Sequence, residues 1–487
     1  MQELWTSSTR EEKRLLQRII EGLQNVLIQS SENQDRDIPY SLQTGDIMIR
    51  KVYTDTNDFL QQNLLLETKL PFSENTDILK TELQVKNKKI QNRLACQAME
   101  GCDGNADGTP GELTLRRYDR FAEGGAGLIW YEATAVMEEG KANPRQLHIN
   151  KNNIDAFKRQ VERIKEAAFK KNGYEPVVIM QATHSGRYSK PEGIPAPLIA
   201  YNNPIFEKDN PIDKSRIVTD EHIDRIKEAL IEGSVLAEKA GFDGVDIKAC
   251  HRYLNCELLS AYEREGRYGG SFENRTRLLR ESILGAIEVT DKEFIVSSRM
   301  NVYDGFPYPY GFGVKEGSGI EPDLSEPKRL IEMLYSYGVE LLNITMGNPY
   351  FNPHVNRPFA KGGYTHDEHP LQGVARMLHG ISEIKAAVPD MKIISSALSY
   401  LGVAAPFVTA AFIEQGGFDM AGYGRTIFAY PDFANDIINN GAMDKNKICI
   451  CCSKCTEIMR TPGGTPGCVI RDKDVYAPIY LRQCGGK

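Results

Sequence analysis

From Asn92 onward, short runs of β-branched and aliphatic residues alternate with longer stretches whose apolar positions recur at helical spacing. The short runs are Leu94–Gln97, Leu128–Glu132, Val177–Gln181, Val245–Ile247, Ile295–Arg299, Leu341–Thr345, Lys392–Ser396 and Met420–Ala421. Between or after them, the spacing predicts helices over Asn153–Phe169, Asp220–Lys239, Asn274–Val289, Glu326–Tyr337 and Pro370–Ala387. Eight strands each followed by a helix is the count of a closed (β/α)8 TIM barrel, an α/β fold. The rival is a doubly wound sheet. No Gly-x-Gly-x-x-Gly opens a helix after a strand, however, and Gly124, Gly125 and Gly127 precede one instead. The pattern predicts the barrel.

Residues 1–85 read as an N-terminal extension of unassigned role, 86–440 as the barrel, and 441–487 as a separate segment. Ser8 and Thr9 followed by Glu11 and Glu12 resemble a capping box. Leu15, Leu16, Ile19, Ile20, Leu23, Val26 and Leu27 then share one helical face, which must pack on the main body or on a second subunit. Ser30–Asp37 is polar and reads as a linker. In the barrel, the segments His184–Thr219, Asn301–Ser325 and Met346–His369 are long and follow strands, where such folds place their chemistry. Their many aromatic residues predict a roomy site for a flat or apolar substrate, with plain loop packing accounting for about half of the rings.

Six of the ten cysteines fall within the last 39 residues. Cys449, Cys452, Cys455 and Cys468 read C-x2-C-x2-C-x12-C, with a Gly- and Pro-rich return loop over Thr461–Gly467. Three thiolates at that spacing wrap three corners of a cubane, and the fourth arrives from the loop, as a [4Fe–4S] cluster requires. A structural zinc site and free thiols are the alternatives, and Cys451 blurs the register. Such clustering favours a metal over disulfides, because residues 1–10 lack the basic start and apolar core of a secretion signal.

A net charge of −7 gives no reason to expect nucleic-acid binding or a polybasic membrane anchor. The uncharged stretch Ile393–Ile413 carries Ser395, Ser396, Ser399, Pro406 and Thr409, and reads as strand, loop and helix rather than a membrane span. The chain is expected to be soluble and cytoplasmic.

Several runs resemble the Old Yellow Enzyme family of flavin-dependent barrels. They are Asn92-Arg93, Gly124-Gly125-Ala126-Gly127-Leu128-Ile129 leading to Glu132-Ala133, Gln181-Ala182-Thr183-His184-Ser185-Gly186-Arg187, and Gly241-Phe242-Asp243-Gly244-Val245. Tyr253-Leu254, Tyr268-Gly269-Gly270-Ser271, Glu273-Asn274-Arg275 and Gly424-Arg425 continue the series. With the cysteine run, the resemblance is to the iron–sulfur branch that includes 2,4-dienoyl-CoA reductase and trimethylamine dehydrogenase. It covers residues 85–470 and implies FMN across the barrel mouth.

By position, the resemblance sets Ala98 and Met99 along the flavin, Ala133 at the second strand's end, Gln181 on the pyrimidine edge, and Arg299 opposite N1 and O2. A fixed guanidinium there has a physical purpose, since it stabilises the negative charge of a reduced flavin. Gly424 and Arg425 fit the phosphate side. Ser396 and Ala397 stand where the family usually has a glycine, and Ala98 replaces a usual proline. The resemblance implies a catalytic signature at the fourth strand's exit: Lys248, His251 and Tyr253. The first two would grip a carbonyl oxygen and the tyrosine would donate a proton. Lysine departs from the family's usual His or Tyr and favours an anionic or carbonyl-bearing substrate, unless it pairs with Glu132 or Asp246. His184 and Arg187 either line the pocket or are structural.

The resemblance implies an ene-reductase acting on an α,β-unsaturated carbonyl or carboxyl compound, with a trimethylamine-type amine dehydrogenase as the alternative. The larger relatives append nucleotide-binding domains, whereas this chain ends 19 residues past Cys468. The expected electron source is therefore a separate protein: a ferredoxin, a flavodoxin or an NAD(P)H-oxidising subunit. A homo-oligomer is compatible with all of this.

Overall fold

The computed structural model describes residues 50–485. The expected helix around Leu15–Leu27 and the linker Ser30–Asp37 lie outside the described residues. An antiparallel hairpin, β1 (Leu83–Val85) and β2 (Lys88–Ile90), precedes the barrel. Eight strands follow: β3 (Leu94–Cys96), β4 (Leu128–Ala135), β5 (Val177–Thr183), β6 (Gly244–Ile247), β7 (Ile295–Asn301), β8 (Leu341–Thr345), β9 (Lys392–Ile394) and β10 (Ala421–Tyr423). They pair in the order β10-β3-β4-β5-β6-β7-β8-β9, every pair parallel. A parallel bridge between Ile394 and Met420 joins the two ends. This is the (β/α)8 barrel expected from the eight short runs.

The hairpin plugs one end. Leu83, Val85 and Ile90 pack with Ala95, Leu128, Trp130, Ile179, Ile295 and Met420 in one apolar cluster inside the N-terminal ends of the strands. Only the C-terminal ends remain open for a site.

Helices over Asp220–Lys239 and Pro370–Ala387 match the periodicity end to end. The stretch expected as one helix over Asn274–Val289 is two, Phe272–Arg275 and Arg277–Val289, with the Thr276 hydroxyl bonded to the Phe272 carbonyl at the break. The uncharged Ile393–Ile413 stretch holds the end of β9, a 3-10 turn over Leu398–Ala404 and most of the helix Ala405–Glu414. Among the described residues no helix is long and apolar enough to cross a membrane.

Residues before the hairpin pack onto the turn after β9. The Tyr53 carbonyl accepts from Val403 N–H. Gly402, at φ 54°, lies so close that a β-carbon there would sit 2.1 Å from the Tyr53 oxygen. The C-terminal segment, with helices Lys454–Met459 and Lys473–Cys484, is pinned back on the barrel. Arg116 and Arg120 both bind the buried Asp472, and the Arg145 guanidinium donates to the Thr465 hydroxyl at 3.1 Å.

Candidate active site and cysteine centre

Interior amides first fix the mouth of the barrel. Gln97, leaving β3, donates to the Ser395 carbonyl (2.9 Å) and exchanges hydrogen bonds with Asn343 of β8. The buried Asp246 carboxylate accepts from Gln181 Nε2 (2.6 Å), the Trp130 indole (2.7 Å) and the Arg299 backbone N–H (2.6 Å). Those three donors offset part of its desolvation, which still raises its pKa, and hold Gln181 in one orientation.

Above this layer lies a cavity of about 1060 Å3, its open mouth included. Its floor is formed by Ala98, Met99, Ala133 and Gln181, with Arg299 from β7 beside them. Lys248, His251 and Tyr253 line it from the exit of β6, and Ser396, Ala397, Gly424 and Arg425 from the exits of β9 and β10. All twelve residues expected at a flavin and its substrate thus face one space.

Arg299 is buried, and burial lowers its pKa against the pull of Cys250 and Asp246. Its Nε has no hydrogen-bond partner, so a buried cationic donor awaits an acceptor. Ala397 takes φ 69°, ψ 17°, the left-handed conformation that glycine favours. The turn expected to need glycine is therefore built with alanine, at a cost of about 1–2 kcal/mol. At this end Arg425 Nη1 is also unpartnered, its Nη2 being held by the Pro358 carbonyl at 2.6 Å. Arg357 lies close by, with its pKa lowered to about 10, by burial first and by Arg425 second. Two guanidiniums without a carboxylate make an anion site.

The β6 exit is strained. His251 and Arg252 have φ of 63° and 61°, which turns the chain into the helix Leu254–Leu259. Arg252 anchors this bend through the Ser260 hydroxyl (2.5 Å), Asp304 (3.2 Å) and the Tyr310 carbonyl (3.2 Å). His251 Nε2 is buried without a partner, and burial, Arg299 and Lys248 hold its pKa well below 6.5. It is a neutral imidazole. Lys248 is not ion-paired with Glu132 or Asp246: its ammonium sits 3.6 Å from the Tyr253 ring centre, and burial lowers its pKa. The Tyr253 hydroxyl lies 3.2 Å from that of Tyr350.

Several lining residues escape the sequence reading, among them Glu100, Tyr350 and Arg357. Glu100 follows the flavin-floor pair, and its pKa is raised by burial despite Lys248 nearby. Tyr350 and Arg357 come from the long loop after β8. Their only signal is membership of an aromatic, proline-rich loop. His184 and Arg187 do not line the cavity. His184 faces Glu139 at 3.7 Å, and Arg187 is locked between Glu257 and Glu207. Phe206, Phe306 and Phe351 pack on one another, so these rings are loop packing.

A second cavity, of about 380 Å3, is lined by Cys449, Cys451, Cys452, Cys455 and Cys468. It shares Arg425, Phe428 and Cys455 with the first, so the two are adjacent. Cys449, Cys452, Cys455 and Cys468 are half-buried, whereas Cys451 is 1% exposed. Backbone N–H groups of Cys451 and Arg471 point at the sulfurs of Cys449 (3.4 Å) and Cys468 (3.3 Å). Burial opposes the charge on Arg425, but the thiols around it outweigh this and raise its pKa.

The sequence profile of the NADH:flavin oxidoreductase / NADH oxidase family matches residues 79–310, from β1 through β7. An NADPH dehydrogenase of Halalkalibacterium halodurans is 31% identical over 269 residues, 54% of this chain and 71% of that protein. Among solved structures, 2-naphthoyl-CoA reductase bound to 2-naphthoyl-CoA superposes with a TM-score of 0.66 at 19% identity, over 83% of this chain and 58% of its own. Histamine dehydrogenase from Rhizobium sp. 4-9 gives 0.62 at 19%, over 81% and 52%. The chain thus spans a little over half the length of these two structures, and at such identity they speak for the fold.

Proposed function

Because the chain belongs to the NADH:flavin oxidoreductase / NADH oxidase family, we propose that this flavin oxidoreductase is an FMN- and [4Fe–4S]-dependent ene-reductase. Its substrate would be an α,β-unsaturated carbonyl or carboxyl compound. The observation that carries this reading is the placement of Lys248, His251 and Tyr253 on one wall of the cavity that also holds Arg299.

The residues present fit the flavin. The unpartnered Arg299 Nε suits the electron-rich pyrimidine edge beside the fixed Gln181 amide. Arg425 and Arg357, with the left-handed Ala397 turn, suit a phosphate. Bound FMN would supply the two-electron reducing equivalent. The thiols fit a cluster: five sulfurs ring one cavity, and no three of them close to within 4.8 Å of one another. A tetrahedral zinc would draw its sulfurs closer than that, given Zn–S bonds of about 2.3 Å.

The chain's own groups then divide the work. The Lys248 ammonium and the His251 imidazole N–H bind the activating carbonyl or carboxylate and stabilise negative charge as it develops on oxygen. Tyr253, held by Tyr350, gives its phenolic proton to the α-carbon. Tyr350 lines the cavity and packs on Tyr188, their ring centres 4.1 Å apart. Single electrons would reach the cysteine centre from a separate redox protein. The alternative donor is NADPH acting directly at the flavin, as the name of the Halalkalibacterium relative suggests.

The second reading is an amine dehydrogenase. A charged Lys248 disfavours it, since repulsion of a cationic amine at about 4 Å costs roughly 1–4 kcal/mol. Anaerobic purification with iron, sulfide and flavin measured per chain tests the cofactors. We expect four irons and one FMN, with iron lost in Cys455→Ser and retained in Cys451→Ser. Zinc without flavin would contradict the reading.

A further inference from the structure

Resting on that reading, we propose that the surface over the cysteine centre docks an acidic, ferredoxin-type one-electron carrier protein. The four half-buried cysteines bring this centre to the surface, beside the 41%-exposed Ile450. Residues 445–485 carry seven Lys and Arg against three Asp and Glu, in a chain of net charge −7. Lys454 and Arg471 line the cavity mouth with no acidic residue among its lining. Lys361, whose backbone N–H bonds the Cys451 carbonyl, and Arg460, at the end of the Lys454–Met459 helix, are exposed nearby.

None of these four cations is in an ion pair among the described residues. Of the three acids in residues 445–485, Asp474 is exposed and the other two are engaged. Asp472 is buried under Arg116 and Arg120, and Glu457 accepts from the Tyr480 hydroxyl at 2.6 Å. A localised basic face on an acidic protein steers an acidic partner to that face. Two carrier molecules each give up one electron per turnover. With two protons, those electrons convert one C=C bond to CH–CH, and both carriers leave oxidised.

The test compares reduced acidic ferredoxin with reduced methyl viologen as donors to the iron-replete holoenzyme, in the wild type and in a Lys361→Glu/Arg460→Glu variant. Iron per chain is measured in both. We expect kcat/KM for ferredoxin to fall roughly 10-fold or more in the variant, and to fall with salt in the wild type. The rate with methyl viologen, a small cation the basic face does not attract, should not fall. Iron-replete protein whose ferredoxin kinetics ignore both salt and charge reversal overturns the docking surface alone. An equal loss with both donors also overturns it. Wild-type protein that holds no iron overturns the cluster reading, and the docking surface with it.

Discussion

The Lys248 ammonium rests 3.6 Å from the centre of the Tyr253 ring, so the cation and the phenol proposed to bind and protonate the substrate form one packed unit. A cation over a phenol face is attracted by the ring's negative quadrupole, worth about 2 kcal/mol when desolvated. The contact holds Lys248 in the cavity, where among the described residues it forms no ion pair although the Glu100 carboxyl is close enough to interact with its charge. Replacement by Met keeps the apolar stem and removes the charge. Lys248→Met should retain flavin and lower kcat/KM for an unsaturated carboxylate by roughly 10²–10³-fold. Turnover of a tertiary amine rising instead would favour the amine dehydrogenase reading.

His251 is neutral at pH 7, because burial and then the positive charges of Arg299 and Lys248 hold its pKa well below 6.5. In the proposed reaction it serves as a hydrogen-bond donor and not as a titrating acid. The kcat/KM profile for alkene reduction should therefore show no inflection near pH 6.5. His251→Asn, which keeps a donor, should retain more activity than His251→Ala.

Glu139 joins two elements outside the site, bonded to His222 (2.5 Å) on the helix Asp220–Lys239 and facing the His184 ring after β5 at 3.7 Å. Its contacts with His184 and His222 lower its pKa from 4.5 to about 2. A depressed carboxylate contributes stability that is present above the unfolded pKa and lost as pH falls through the folded one. Chemical denaturation between pH 4.5 and 2 should show this loss in the wild type. In Glu139→Gln the dependence over that window should be shallower.

Ala397 holds a left-handed backbone that costs an alanine about 1–2 kcal/mol, while glycine brings an entropic cost of about 0.5–1 kcal/mol. The first term exceeds the second. Ala397→Gly should leave thermal stability of the flavin-loaded enzyme unchanged or raised by up to about 1 kcal/mol, and should not weaken FMN retention. A fall of the melting temperature by several degrees would show that the alanine methyl has a packing role.

The barrel is legible in the sequence because its strands are buried on both faces and read as apolar runs between amphipathic helices. The proposed flavin wall comes from the family resemblance, which carries Ala98, Gln181, Arg299 and Arg425 over at strand ends, and all four line one cavity. Glu100, Tyr350 and Arg357 are not legible in the sequence. Tyr350 reaches Tyr253 across 97 residues through the folding of a loop without periodicity. The sequence leaves His184 open between the two roles for the same reason, since its neighbour Glu139 is set by tertiary packing. The strand expected through Ser396 stops at Ile394, because the following residues already turn towards the left-handed Ala397.

The most direct measurement is a single turnover. Holoenzyme reduced anaerobically by dithionite is freed of excess reductant and mixed with an α,β-unsaturated carboxylate or ketone while the flavin absorbance is followed. The account predicts reoxidation of the flavin with formation of the saturated product, slowed in both Lys248→Met and Tyr253→Phe. Flavin that stays reduced with every activated alkene, while oxidised enzyme is bleached by a tertiary amine, would contradict it.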